Sequence, residues 1–138
     1  MMPNAKRFYI AGSFREIALI NSLSEDLTAM GYERTFDWTT LPVTTNLQSL
    51  HEIGNQEFLG VRECDFLVFI FPGGKGSNVE VGIATALKKP IYLLDTTNQV
   101  NNPEETSTFY LMDHVHRFHG TAAAFSEFIL NREPTMLS

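Results

Sequence analysis

A chain of 138 residues, 43% hydrophobic and 19% charged, can bury one globular core but not two, so residues 1–138 are read as a single domain. The net charge of −6 leaves no basic field for phosphates, which argues against nucleic-acid or anionic-membrane binding. One cysteine, Cys64, excludes an intrachain disulfide and a multi-cysteine metal site, and fits a reducing, cytoplasmic home. No apolar run approaches the roughly 18 residues of a membrane span. Met1 to Arg7 leads straight into a strand-like run, so no signal peptide is expected.

The elements alternate along the chain. Phe8-Tyr9-Ile10-Ala11-Gly12 is a short apolar run ending in glycine, the pattern of a buried strand. Ser13-Phe14-Arg15-Glu16 has capping-box spacing and predicts a helix start. Ile20, Leu23, Leu27 and Met30 recur at helical spacing, and Gly31 supplies the stop. Residues 32–36 read as a second strand and 37–46 as a threonine-rich loop. Residues 49–64 read as a helix weakened by Gly54 and Gly60.

Asp65-Phe66-Leu67-Val68-Phe69-Ile70-Phe71 is too continuously apolar for a one-sided strand and belongs at the centre of a parallel sheet. A loop over 72–76 follows. Val79, Ile83, Ala86 and Leu87 predict the buried stripe of the next helix, which Lys88-Lys89-Pro90 ends. Residues 91–94 read as a strand, 96–105 as a polar surface loop, 106–113 as a short helix, 115–118 as a fifth strand and 121–130 as a closing helix. The last eight residues are expected to fray.

This alternation predicts an α/β fold: a doubly wound, five-stranded parallel sheet of flavodoxin-like order 2-1-3-4-5. Ligands in that architecture bind beyond the carboxyl ends of the strands, near the switch between strands 1 and 3. The substrate-binding candidates at those ends are Gly12, Ser13, Phe14, Asp37, Trp38, Gly74, Gly76, Ser77 and Asn78. Pro72-Gly-Gly-Lys-Gly-Ser-Asn-Val-Glu80 places glycines before a helix N-terminus, which suits phosphates or sugar hydroxyls. It lacks the Gly-Lys-Ser/Thr ending of a phosphate-binding P-loop. It also lacks the third glycine of the dinucleotide fingerprint.

Glu80 has two readings. In Ser77-Asn78-Val79-Glu80 it can complete a capping box. As a carboxylate in the first turn of a helix it is also held ionised, as a nucleophile requires.

Three segments resemble the nucleoside 2-deoxyribosyltransferase superfamily, which includes deoxynucleoside-monophosphate N-glycosidases. They are Tyr9-Ile-Ala-Gly-Ser13, the helix leading into Asp65-Phe66-Leu67-Val68, and Gly76-Ser-Asn-Val-Glu80-Val-Gly82-Ile-Ala84-Thr-Ala86-Leu-Lys-Lys89-Pro90. The resemblance implies cleavage or transfer at the N-glycosidic bond of a (deoxy)nucleoside or its monophosphate, with no metal or redox cofactor. It implies that Glu80 is the nucleophile, that Tyr9 orients it, and that Glu57 assists the leaving base where family members carry an aspartate. It also implies a homodimer or higher oligomer with shared sites. The apolar run Phe109-Tyr110-Leu111-Met112 reads either as a helix packed on the sheet's own edge or as an interface, from which Tyr110 or a nearby Ser or Thr would reach a partner's cleft.

A phosphoribohydrolase of the lysine-decarboxylase-like family is the nearest alternative enzyme, since its Pro-Gly-Gly-x-Gly-Thr-x-x-Glu is similar to residues 72–80. A catalytically silent nucleotide-binding module is the non-enzymatic alternative. Trp38 is the only tryptophan and reads either as packing or as a stacking platform for a base. Asp37 reads either as a polar contact to substrate or as the closure of an Asx turn. Asp65 reads as an anchor for the central strand. His114, His116 and His119 read as strand-end polar residues rather than a zinc site, and Cys64 as a buried small hydrophobe. Arg15, Arg62 and Lys75 are cations that can meet a phosphate.

Overall fold

The computed structural model describes residues 5–135. Five parallel strands, β1 (Arg7–Ala11), β2 (Glu33–Arg34), β3 (Phe66–Ile70), β4 (Ile91–Asp95) and β5 (Val115–His119), form one sheet in the order β2-β1-β3-β4-β5. This is the expected doubly wound order. Helices α1 (Ile17–Ala29) and α4 (Ala122–Arg132) pack together, as do α2 (Leu47–Glu63) and α3 (Lys75–Ala86). β3 and β4 are buried along their whole length, as a strand covered on both faces must be. Asp65 accepts the Arg7 amide at 2.8 Å and donates its own amide to the Arg7 carbonyl at 2.8 Å, which locks the start of β3 against β1.

Several local expectations shift. Ser13 caps only a 3-10 turn, Phe14–Glu16, by accepting from the Arg15 amide, and α1 starts after it without a side-chain cap. The second strand contracts to two residues, because Tyr32 and Phe36 turn into the packing on either side of it. The helix of residues 49–64 begins earlier, at Leu47, where the Asn46 side chain accepts the Ser49 amide. The loop of residues 96–105 is tied from inside: buried Asp95 accepts from the amides of Val100 and Thr97 at 2.7 and 2.8 Å.

The expected helix over 106–113 is a 3-10 turn, Thr108–Leu111. Tyr110 is buried against Phe69 and Phe71 of its own chain and donates to Asn78, so it is not free to reach a partner. Residues 131–135 do not fray. Glu133 pairs with Lys6 at 3.1 Å, and its side chain and carbonyl accept from Tyr92 and Tyr32. Residues 136–138 lie outside the described residues.

The largest correction concerns α3. It starts at Lys75 with Gly74 as its N-cap, so Ser77, not Glu80, occupies the third helical position. Ser77 Oγ accepts the Gly74 amide at 2.7 Å, and the Asn78 side-chain amide donates to the Gly74 and Pro72 carbonyls at 2.8 and 3.2 Å. The earlier start rotates the helix. Ser77, Glu80, Val81 and Ala84 face the interior, while Val79, Ala86 and Leu87 are exposed and Ile83 is half-buried. Glu80 is therefore a buried carboxyl in the second turn, and the capping reading does not hold.

Candidate active site

The carboxyl ends of β1 and β3 open onto a cleft of about 410 Å³. Glu80 lies on its floor, 7% exposed. Tyr9, fully buried on β1, donates its hydroxyl hydrogen bond to Glu80 Oε2. Glu57, on α2, shares a second hydrogen bond with the Glu80 carboxyl. Three residues separated by up to 71 positions thus meet at one point.

A glycine makes this meeting possible. A Cβ on Gly60 would stand 2.9 Å from Tyr9 Cδ2 and 3.0 Å from Phe36 Cβ, so α2 can cross the Tyr9 ring this closely only with glycine there. On the other side, Gly73 takes φ +67°, and a Cβ there would stand 2.7 Å from the Phe69 ring. That turn brings the chain from β3 into α3 within four residues and aims Glu80 back at Tyr9.

The electrostatics follow from burial. Removal from water pushes the Glu80 pKa up to about 8, against the Tyr9 hydrogen bond, which favours the ionised form; the charge of Glu57 and its hydrogen bond push it further up. Burial also raises Glu57, while its hydrogen bond to Glu80 acts in the opposite direction. The pair therefore holds one shared proton near neutral pH. The expectation that the helix N-terminus keeps Glu80 ionised fails, because the dipole effect falls off within the first turn and desolvation is the larger effect here. Burial, and then the adjacent Glu80 charge, raise Tyr9 well above the tyrosine range, so Tyr9 stays a donor.

Of the sequence candidates, Gly12, Ser13, Phe14, Trp38, Gly74, Gly76 and Ser77 line this cleft. Arg15 and Lys75 also line it and supply two cations, whereas Arg62 sits over the Phe58 ring beside Glu63. Asp37 and Asn78 are engaged elsewhere. Asp37 accepts the Thr39 amide at 2.9 Å in an Asx turn and pairs with Arg34 at 3.4 Å, and Asn78 staples the loop before α3 to Tyr110. Trp38 is 5% exposed, and its Nε1 donates to the Ile10 carbonyl at 2.7 Å. Phe14 meets it edge-to-face at 5.1 Å and is itself 63% exposed.

The histidines have separate partners: His114 contacts Thr85 Oγ1, His116 stacks on Tyr92, and His119 meets the Asp95 carbonyl. Among the described residues, no three His, Cys, Asp or Glu side chains group as a metal site. Cys64 is buried and its thiol is pushed up to about 12, which makes it a packing residue. No helix among the described residues is long and apolar enough to cross a membrane.

Sequence reasoning missed a second recess. Behind Phe14, Trp38 and Glu57 the cleft continues into a space of about 260 Å³ walled by Leu41, Pro42, Val43, Leu50 and Ile53. Leu50, Ile53 and Glu57 follow helical spacing, which is the signal that could have revealed it.

No family model matches the chain, and no curated protein matches it in sequence. Solved structures match its fold. The CMP N-glycosidase BcmB of Clostridium botulinum superposes with a TM-score of 0.63 at 19% identity, over 90% of this chain and 98% of its own. BlsM superposes with a TM-score of 0.61 at 19% identity, over 99% of both chains. A conserved protein of Enterococcus faecalis V583 gives 0.59 at 17% identity, over 93% of this chain and 99% of its own. At these identities the shared feature is the fold.

Proposed function

We propose that this chain is an N-glycosidase or glycosyl transferase of the nucleoside 2-deoxyribosyltransferase type, acting on a (deoxy)nucleoside or its monophosphate. The observation that carries the reading is the buried Glu80 carboxyl at the cleft floor, hydrogen-bonded to Tyr9 and to Glu57. The fold shared with a protein described as a CMP N-glycosidase supports it. Arg15 and Lys75 at the cleft mouth suit a 5′-phosphate.

In this reading substrate binding moves the shared proton from Glu80 to Glu57. The Glu80 carboxylate attacks the anomeric carbon, the C1′–N bond breaks, and its electron pair leaves with the base, which takes the proton from Glu57. Water or a second base then attacks C1′. The ester bond to Glu80 breaks, and Glu57 accepts the proton that the incoming group loses. Tyr9 donates throughout to the Glu80 oxygen that does not form the ester.

The exposed side chains of Phe109, Leu111 and Met112 support a homodimer or higher oligomer. The reducing compartment suggested by a lone, buried Cys64 supports a cytoplasmic enzyme.

A panel of ribonucleosides, deoxynucleosides and their monophosphates, with base release followed by chromatography, tests the activity. Glu80→Ala should abolish release in a folded protein, and mass spectrometry of the wild type with a slow substrate should show a sugar adduct on Glu80. Turnover retained by folded Glu80→Ala refutes the covalent route. Release from 5′-phosphorylated ribonucleosides with no sugar adduct on Glu80 favours the phosphoribohydrolase alternative, and binding without release favours a silent module.

A further inference from the structure

The recess behind Glu57 bears on substrate choice. Glu57 stands at its junction with the main cleft and lines both spaces. A sugar placed over Glu80, with its base toward Glu57, directs the base into this recess. The walls there are hydrocarbon from Leu41, Pro42, Val43, Leu50 and Ile53. The directional polar groups are nearly used up. Trp38 Nε1 is committed to the Ile10 carbonyl, and Thr44 Oγ1 already accepts the Asn46 amide at 3.1 Å. Of the side chains lining the recess, only Glu57 and the remaining hydrogen-bonding capacity of the Thr44 hydroxyl are left to read a base edge.

A base that presents amino and carbonyl groups to such walls loses hydrogen bonds to water and regains few. A base that presents a hydrocarbon group loses none. Size points the same way, since a cavity of roughly 150 Å³ accepts a benzene ring and the recess holds about 260 Å³. There is room for a ring and a substituent.

We propose that this site selects nucleosides or nucleotides whose base carries an alkyl or aryl group on the edge remote from the sugar. The proposal rests on the N-glycosidic reading above and specifies its substrate class. Each buried methylene raises affinity roughly fourfold, so a propyl group should exceed tenfold.

The test is calorimetric binding to the full chain of two matched series, 2′-deoxyuridine against 5-propyl-2′-deoxyuridine and adenosine against N6-benzyladenosine, each also as the 5′-monophosphate. The substituted member should bind at least tenfold more tightly in one series or the other. Equal or weaker binding in both overturns the proposal, as it would if a second copy of the chain covered the recess. Ile53→Trp fills the space and should bring the ratio toward one. Should that variant fail to fold, Leu50→Gln should reduce the ratio by making the wall polar. A ratio unchanged in a folded variant of either kind overturns the proposal. Base release is scored separately. Preference in binding without release defeats the glycosidase reading and leaves the recess assignment standing, whereas release without preference defeats the recess assignment alone.

Discussion

Replacing Glu80 by Gln should make the protein more stable, and more so as pH rises. Burial raises the native carboxyl to about 8, from 4.5 for a free glutamate. A raised native pKa contributes stability that is complete below the unfolded value and is lost as pH climbs through the native one. The window is therefore about pH 4.5 to 8, and above it the wild type must bury an ionised carboxylate beside Glu57. Each pKa unit is worth about 1.4 kcal/mol. The rise of several units thus corresponds to a few kcal/mol, with little solvent screening at a side chain this buried. Gln keeps an acceptor for Tyr9 and a donor for Glu57, and it carries no charge. The variant and the wild type should melt together near pH 5. By pH 9 the variant should melt higher by roughly 10 °C, at about 3–4 °C per kcal/mol for a chain of this size. Thermal melts followed by circular dichroism across this range measure the difference, from which titrating groups away from the site, such as His116, largely cancel. Parallel pH profiles for the two proteins would refute the shared-proton account of the site. The variant should also be inactive, which separates stability from function at one atom.

Tyr9→Phe keeps the ring packing but removes the donor to Glu80. A hydrogen bond to a charged group is worth about 1.5–3 kcal/mol, so base release should fall roughly 10- to 100-fold and the Glu80 titration should move further up; an unchanged rate would remove Tyr9 from the site. Gly60→Ala gains about 1 kcal/mol of helix propensity but presses a Cβ into the buried Tyr9 ring and Phe36, at a cost of about 1–3 kcal/mol, so melting should drop and turnover with it. Gly54→Ala, in the same helix with nothing within 4 Å of the new Cβ, should instead raise the melting temperature. Light scattering at micromolar concentration should give a dimer or larger species, and a monomeric mass with full activity would refute an assembly through Phe109, Leu111 and Met112.

The parts of the fold that could be read from the sequence are those where burial alone decides. β3 and β4 are apolar on both faces and could be read as central strands without further information. Gly31 takes φ +105° just past Met30, as a left-handed helix stop requires. Caps were less legible, since Ser13-x-x-Glu16 and Ser77-x-x-Glu80 both match the capping pattern and neither box forms in that register. In the second case Gly74, which has no side chain to signal a cap, starts the helix. The rotation that follows cannot be read from periodicity either, because Val79 and Leu87 match a helical stripe as well as Ser77, Val81 and Ala84 do. The link between Glu57 and Glu80 came from resemblance and not from spacing. The apolar recess was hidden because two segments build it: one reads as a polar threonine loop, and the other as a helix with mixed faces.

The same geometry explains why a buried dyad suits the proposed reaction better than a single exposed carboxylate. An ionised Glu80 open to water would be well solvated and poorly reactive, and Glu57 beside it would have no proton to give. Burial reverses both conditions, because two carboxyl groups this close cannot both be ionised at low cost. The resting pair is therefore half-protonated, with its nucleophile masked by the proton that the leaving base will need. A base entering beside Glu57 offers that proton an acceptor, and removing it from Glu80 creates the nucleophile. Activation and leaving-group protonation thus draw on one proton, and an empty cleft holds Glu80 in its unreactive form. Under the proposed mechanism the arrangement also sets an upper pH limit for turnover: once both carboxyls ionise, no acid remains for the base, so base release should fall over the same range in which the wild type loses stability relative to Glu80→Gln.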